Sequence, residues 1–480
     1  MSIRHWSRSS RVRRAVAAAL VVLSAGGLVL AKTPAGAIAS EARAEGRVEL
    51  GSAVNASSFS GQGLRGQLAL SHSAVLSGGE RRVYAELDLV ADAAKNGAAR
   101  APLAMVLCLD TSGSMAGDKL REAKKSAIRV IREMHDDDRV AFVRYASDAE
   151  VVLPLSRVGD ARAGLIARVE ALEATGGTNI PLALHRAVDA LATVGQGPVR
   201  RVVLMSDGLD GTRAEAEAIA RESAHHGATI STIGIGLDFD QRYMGGVAQA
   251  GRGNFAFVED ASALAGFLRK EVEEGGSTTV QSVTAKLRLP RGVRFVGAMG
   301  GDVRDLGDGR VEVSAGSLFV GDERRVTLEL AVSLAEGERA SIEADATWTP
   351  VSGDPATAHL AALSLGGTND AALVEARRDP AVFARSTSVV ASARELEAND
   401  AYQAGDSARA QALIEKNVAD LDSAARAAPA AAAPLRQQAA AYRAQKKSFA
   451  EAPSDSSAGQ AAAKHAATRD FDNMNRNVGF

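Results

Sequence analysis

Cysteine is nearly absent: the chain has 1, Cys108, so it can form no internal disulfide and no all-cysteine zinc site. Excess charge of either sign is missing too, since Lys plus Arg number 56 against 58 Asp plus Glu, a formal charge of −2. With no net field to hold a polyanion, nucleic acid is not an expected partner. Aromatic residues make up only 4%, but 46% of the 480 residues are hydrophobic, which excludes a disordered or fibrous chain and suffices for two or three ordinary cores.

The first forty residues have a distinct texture. Arg4, Arg8, Arg11, Arg13 and Arg14 precede an uncharged stretch from Ala15 to Ala31, followed by Pro34 and the small-residue site Ala37-Ile38-Ala39. Basic, then apolar, then A-x-A is the order of a cleavable export signal over 1–39. The competing reading keeps residues 15–31 as an N-terminal membrane anchor with the positive side inside. Either reading sends the rest of the protein across the cytoplasmic membrane, to the periplasm, the cell surface or the exterior. No cysteine ends the apolar run, so a lipid-modified N-terminal cysteine is excluded.

Residues 40–66, rich in Gly, Ser and Ala, read as a linker. Over 67–100, Val83, Ala85, Leu87 and Leu89 alternate with Tyr84, Glu86 and Asp88, the period of a half-buried strand. A strand or two cannot fold alone, so these residues need a sheet from elsewhere in the chain. From 101 to 275, apolar runs at 104–109, 140–145, 202–205 and 230–235 have the continuous character of parallel strands covered on both faces. Amphipathic segments between them, such as Leu120, Ala123, Ala127, Val130, Ile131 and Met134, are spaced as helices. The expected fold class is α/β: a doubly wound, mostly parallel sheet that binds ligands at the carboxyl ends of its strands.

Period-2 alternation returns over 276–368, for example in Val326, Leu328, Leu330 and Val332, predicting a β-sandwich-like domain joined by the strand at 83–90. The α/β domain is then an insertion in it. Residues 369–449 form a helical region that begins with a hairpin similar to one tetratricopeptide repeat. Residues 450–480 read as a flexible tail.

The chemistry concentrates in three loops. The first apolar strand ends in Asp110-Thr111-Ser112-Gly113-Ser114, Thr178 lies in the loop Gly176-Gly177-Thr178-Asn179, and Asp207 follows the strand at 202–205. Carboxylate and hydroxyl oxygens are hard donors, suited to Mg²⁺, Mn²⁺ or Ca²⁺. Capping and turn roles explain each loop alone, but not the convergence of all three at strand ends.

With these residues in place, the segment 101–275 resembles the von Willebrand factor type A (VWA) family, whose metal-ion-dependent adhesion site is written D-x-S-x-S, then Thr, then Asp. Asp110, Ser112 and Ser114 match the first element, Thr178 the second and Asp207 the third. Gly251-Arg252-Gly253 also looks like bacterial members. The resemblance implies direct ligation by Ser112 and Ser114 and, in the ligand-competent state, by Thr178, with Asp110 and Asp207 acting mostly through water. It implies an open coordination position for a partner's Asp or Glu, and members in which ligation is coupled to movement of the last helix, here about 261–274. The layout is also similar to that of inter-alpha-trypsin inhibitor heavy chains, with their N-terminal domain missing or reduced.

No enzyme is expected. A phosphoryl-transfer role for Asp110 lacks the usual general acid two residues on, where Ser112 stands. Ser112 and Ser114 lie in no G-x-S-x-G elbow, and no histidine is placed as their base. His225 and His226 end a predicted helix and point apart, His185 is an ordinary helix-surface residue, and Asp136 to Asp138 read as a solvated turn. Cys108 is a buried, inert strand residue, and Thr111 occupies the variable position of the motif. The expected function is cation-dependent binding of a protein partner at the cell envelope, with an assembly subunit serving an ATPase and a metal-dependent hydrolase as alternatives.

Overall fold

The computed structural model describes residues 55–92, 100–195, 197–207, 210–260, 263–351 and 353–475. The expected export signal or anchor at 1–39 lies outside the described residues. Among the described residues no helix is long and apolar enough to cross a membrane.

The central layer is a six-stranded sheet in the order Arg252–Val258, Ala228–Ile235, Val199–Ser206, Leu103–Asp110, Arg139–Tyr145, Ala149–Arg157. All neighbours run parallel except the last, which is antiparallel. Leu103–Asp110 is buried along its whole length because helices cover both faces. Leu103, Met105, Leu107 and Leu109 face the helices Asp118–Glu133, Val158–Glu170 and Leu264–Gly276. Ala104, Val106 and Cys108 face Ile180–Ala192, Arg213–His225 and Gln241–Ala250. The two-residue period thus survives inside a run that is apolar throughout, and the carboxyl ends of the strands open at one rim.

The remaining strands form two sheets over one shared core. The five-stranded sheet has the order Ala56–Gly61, Leu64–Leu70, Arg81–Ala91, Glu323–Val332, Val293–Met299. The six-stranded sheet has the order Asp302–Gly307, Arg310–Phe319, Thr278–Arg288, Arg339–Pro350, Ala356–Thr368, Ala74–Leu76. Arg81–Ala91 pairs antiparallel with Glu323–Val332 from Arg81 opposite Val332 to Val90 opposite Glu323. The α/β domain is therefore inserted into a sandwich whose strands come from both sides of it. At the neck, the Ala101 amide donates to the Gly276 carbonyl at 2.9 Å, closing the inserted domain on itself.

The linker expected over 40–66 is corrected from residue 56 onward. Ala56–Gly61 and Leu64–Leu70 are an antiparallel hairpin at the sheet edge. Phe59 packs on Trp348, ring centroids 5.4 Å apart, and Gly66 makes this possible: a Cβ there would sit 2.3 Å from the Phe59 ring. Of the small residues that read as a linker, Gly66 is the one this close ring packing requires.

Beyond the sandwich, the helices Pro380–Gln403, Ser407–Ala427, Ala432–Glu451 and Ser457–Asn475 form an Ala-rich bundle, with Tyr402 stacked on Phe449 at 3.8 Å. The flexible tail expected over 450–480 is corrected here. Ala463, Ala467, Phe471 and Met474 fall on one buried helical face, and Phe471 meets Phe255 of the α/β domain edge to face at 5.6 Å. The alanines that suggested low complexity are those that let this helix pack closely.

Candidate metal centre

Asp110 is the last residue of the central strand, and both its carboxylate oxygens are engaged. Oδ1 accepts the Ser112 amide at 2.8 Å, and Oδ2 accepts the Ser206 hydroxyl at 2.7 Å. The hydroxyls of Ser112 and Ser114 are 3.0 Å apart, and Ser114 donates to Asp207 Oδ1 at 2.8 Å. Asp110 and Asp207 are both fully buried. Burial pushes the Asp110 carboxyl above the usual carboxylate range, against the hydrogen bonds from Ser206 and Ser112. Two buried acids in one site call for a cation.

The loop that bears the two serines is clamped by its neighbours. Thr111 donates to the Tyr145 carbonyl from its amide at 2.7 Å and from its hydroxyl at 3.0 Å. The Gly113 amide donates to the Gly176 carbonyl at 2.9 Å, and the Thr175 amide to the Thr111 carbonyl at 2.7 Å. The Gly-Gly-Thr loop therefore lies directly against the serine loop. The structure joins Asp110, Ser112, Ser114 and Asp207 in one hydrogen-bonded network. Thr178 stands in the facing loop, half-buried and outside that network.

Three positioning residues escaped the sequence reading. Asp210 accepts the Ile180 amide at 2.7 Å, fixing the start of the helix just after Thr178, and accepts the Thr212 amide at 2.8 Å. The Asp-Gly-Thr spacing of an Asx turn was its available signal. Ser206 holds Asp110 across the sheet, and only the strand order reveals it. Lys119 donates to Asp207 Oδ2 at 2.6 Å and to Asp238 Oδ2 at 3.2 Å. Burial lowers the affinity of its amine for a proton, but the two carboxylates win and hold its pKa above the ordinary lysine value.

The donor set fits a hard divalent cation. It offers carboxylate and hydroxyl oxygens, and a stand-in cation, the Lys119 ammonium, already lies on Asp207. Among the described residues no group of three or more His, Cys, Asp or Glu converges.

The groups set aside have other employment. Asp136 pairs with Arg162 at 2.7 Å, Asp137 pairs with Arg157, and Asp138 accepts Arg100 at 3.0 Å. His225 lies 3.1 Å from Arg252 Nη2, and burial followed by that guanidinium draws its pKa below the ordinary value. His226 is exposed, and burial pushes the Cys108 thiol far above its ordinary pKa.

The fold and its rim define an α/β domain that carries metal-type ligands at the carboxyl ends of a mostly parallel sheet. Residues 104–270 match the family model of the von Willebrand factor type A domain, and the chain contains a VWA domain. Among curated relatives, the uncharacterized protein YfbK of Escherichia coli is 29% identical over 280 residues, which are 55% of this chain and 47% of YfbK. Inter-alpha-trypsin inhibitor heavy chain H4 of Bos taurus is 23% identical over 197 residues, 38% of this chain and 19% of that protein. The chain thus spans less than half the length of either relative. The solved structure of a von Willebrand factor type A protein from Catenulispora acidiphila superposes with a TM-score of 0.63 at 21% identity. It covers 79% of this chain and 91% of its own, a likeness of fold that extends beyond the VWA domain.

Proposed function

We propose that this protein binds a protein partner through a divalent cation, Mg²⁺, Mn²⁺ or Ca²⁺, held by Asp110, Ser112, Ser114, Thr178 and Asp207, and that it does so beyond the cytoplasmic membrane. The observation that carries the reading is the single network joining two buried aspartates to two serine hydroxyls at the open rim of the sheet. VWA domains as a family mediate protein interactions, and inter-alpha-trypsin inhibitor heavy chains are among the relatives.

The chain's own residues divide the work. Asp110 is held by Ser206 and the Ser112 amide, so it fixes the loop that presents the serine hydroxyls. Ser114 and Asp207 orient each other. Thr178 faces them from a loop fixed by Asp210. The rim presents the neutral hydroxyls of Ser112 and Ser114, so a cation held there would keep electrophilic character and would attract a carboxylate from a partner's Asp or Glu. Both oxygens of Asp110 accept hydrogen bonds, which fits a structural acid better than a nucleophile. Secretion is supported by the order of residues 4–39 alone.

The test is a calorimetric titration of the full chain with Mg²⁺ and with Mn²⁺, alongside Asp110→Ala and Ser112→Ala. Saturable binding by the wild type and loss in both variants, with folding retained by circular dichroism, is the expected result. Equal binding in all three sinks the assignment.

A further inference from the structure

We infer that Lys119 is an internal counter-cation that shares Asp207 with the divalent ion, so that Lys119 and its second partner Asp238 set the cation affinity; this rests on the cation-site reading above. Four observations carry it. Lys119 lies in the first turn of the helix Asp118–Glu133, where the helix dipole opposes a positive charge, so helix stability does not explain a lysine there. Its ammonium instead reaches Asp207 Oδ2 at 2.6 Å, taking the oxygen that Ser114 leaves free. Its stem runs over Gly236, whose backbone has φ +76°: a Cβ there would sit 3.3 Å from Lys119 Cε, so the fold keeps this path clear. Finally, Asp238 also contacts the ammonium at 3.2 Å, with 72% of its side chain exposed.

The arrangement gives the ammonium two stations. Without metal, Lys119 neutralises the buried Asp207 carboxylate. A divalent ion beside Ser112 and Ser114 draws on the same carboxylate and repels the ammonium, and Asp238 keeps Lys119 partnered as its hold on Asp207 weakens. The loop that carries Asp238 is itself anchored by the C-terminal helix, where Lys464 donates to the neighbouring Phe239 carbonyl at 2.7 Å.

Opposite signs on the two sides of Lys119 make the test specific. Calorimetry with Mg²⁺ on the full chain is expected to show Lys119→Met binding roughly tenfold tighter than wild type. Asp238→Asn is expected to bind more weakly, and this weakening is expected to vanish in the double variant. The metal-free thermal midpoint of Lys119→Met is expected to fall while its rise with Mg²⁺ grows. A residue that merely supports the loop weakens binding when either partner is removed. If Lys119→Met does not fold, Lys119→Gln and Asp238→Asn read the same coupling. Binding no tighter in the lysine variants than in wild type overturns the inference while leaving the cation site standing. Absence of Mg²⁺ and Mn²⁺ binding in the wild type overturns both.

Discussion

Arg201 and Glu271 meet inside the VWA domain, with Nη1 2.7 Å from Oε2 and side-chain exposures of 3% and 0%. Ser231 donates to the same Glu271 oxygen at 2.9 Å, and Asn254 bonds the other. The last helix of the domain is thus tied to three strands by one buried carboxylate. Arg201 also lies 3.5 Å from Glu274 Oε2, so Glu271→Ala leaves the guanidinium one carboxylate but orphans Ser231 and weakens the hold on Asn254, and is expected to cost about 1–3 kcal/mol in urea unfolding. Arg201→Met and Glu271→Ala are expected to be non-additive in a double-mutant cycle, and strictly additive losses would contradict this account.

Asp210 is expected to matter for cation binding without touching the ion. It fixes the Ile180 amide, two residues beyond Thr178, so Asp210→Ala frees the loop that presents the threonine hydroxyl. Outer partners of this kind change metal affinity by roughly tenfold or more. Calorimetry should show weaker Mg²⁺ binding with thermal stability nearly unchanged, and unchanged affinity would remove Thr178 positioning from its role.

Glu395 carries a pH dependence into the helical bundle. It is fully buried, accepts the Asn417 side chain at 2.7 Å, and burial followed by the Asp470 charge pushes its pKa up to about 8 from 4.5. The folded state therefore keeps a proton that the unfolded chain releases, and this group's contribution to stability falls as pH rises from 4.5 through 8. Thermal melts at pH 5 and pH 9 should differ by several degrees more in wild type than in Glu395→Gln. Equal differences would show that Glu395 does not hold the proton.

Phe471 tests the C-terminal helix. Its ring lies against Phe255 at 5.6 Å in a core shared with the VWA sheet. Phe471→Ala is expected to cost about 3 kcal/mol by leaving a cavity there. An unchanged denaturation midpoint would mean that the helix does not dock in solution.

Much of this was legible because two periods separate cleanly in the sequence. Leu103–Asp110 reads as a strand covered on both faces because every residue before Asp110 is apolar, and Val326 to Val332 as a half-covered strand because polar residues alternate with apolar ones. What was lost had small residues in functional places. The hairpin at 56–70 hid behind serine and glycine, the helix Gln241–Ala250 behind Gly245-Gly246, and Ser457–Asn475 behind alanine. Asp110, Ser112 and Ser114 were noticed because they follow one apolar strand, and Asp207 because it follows a second. Lys119 and Ser206 were not, because their partners lie 88 and 96 residues away and only the strand order brings them together.

The sandwich also depends on a domain it does not contain. Its strand Arg81–Ala91 must find Glu323–Val332 across the whole inserted domain, and the Ala101 to Gly276 hydrogen bond draws the two ends of that insertion together. While the VWA domain is folded, the sandwich closes what amounts to a short connection. Once it unfolds, the same pairing must close the loop from Val90 to Glu323, which costs about 1 kcal/mol more than the loop of roughly 60 residues left when Ala101 and Gly276 are held together. A folded VWA domain thus lends the sandwich a modest entropic advantage, and damage at the metal-bearing domain is expected to lower the stability of the sheets by about that amount.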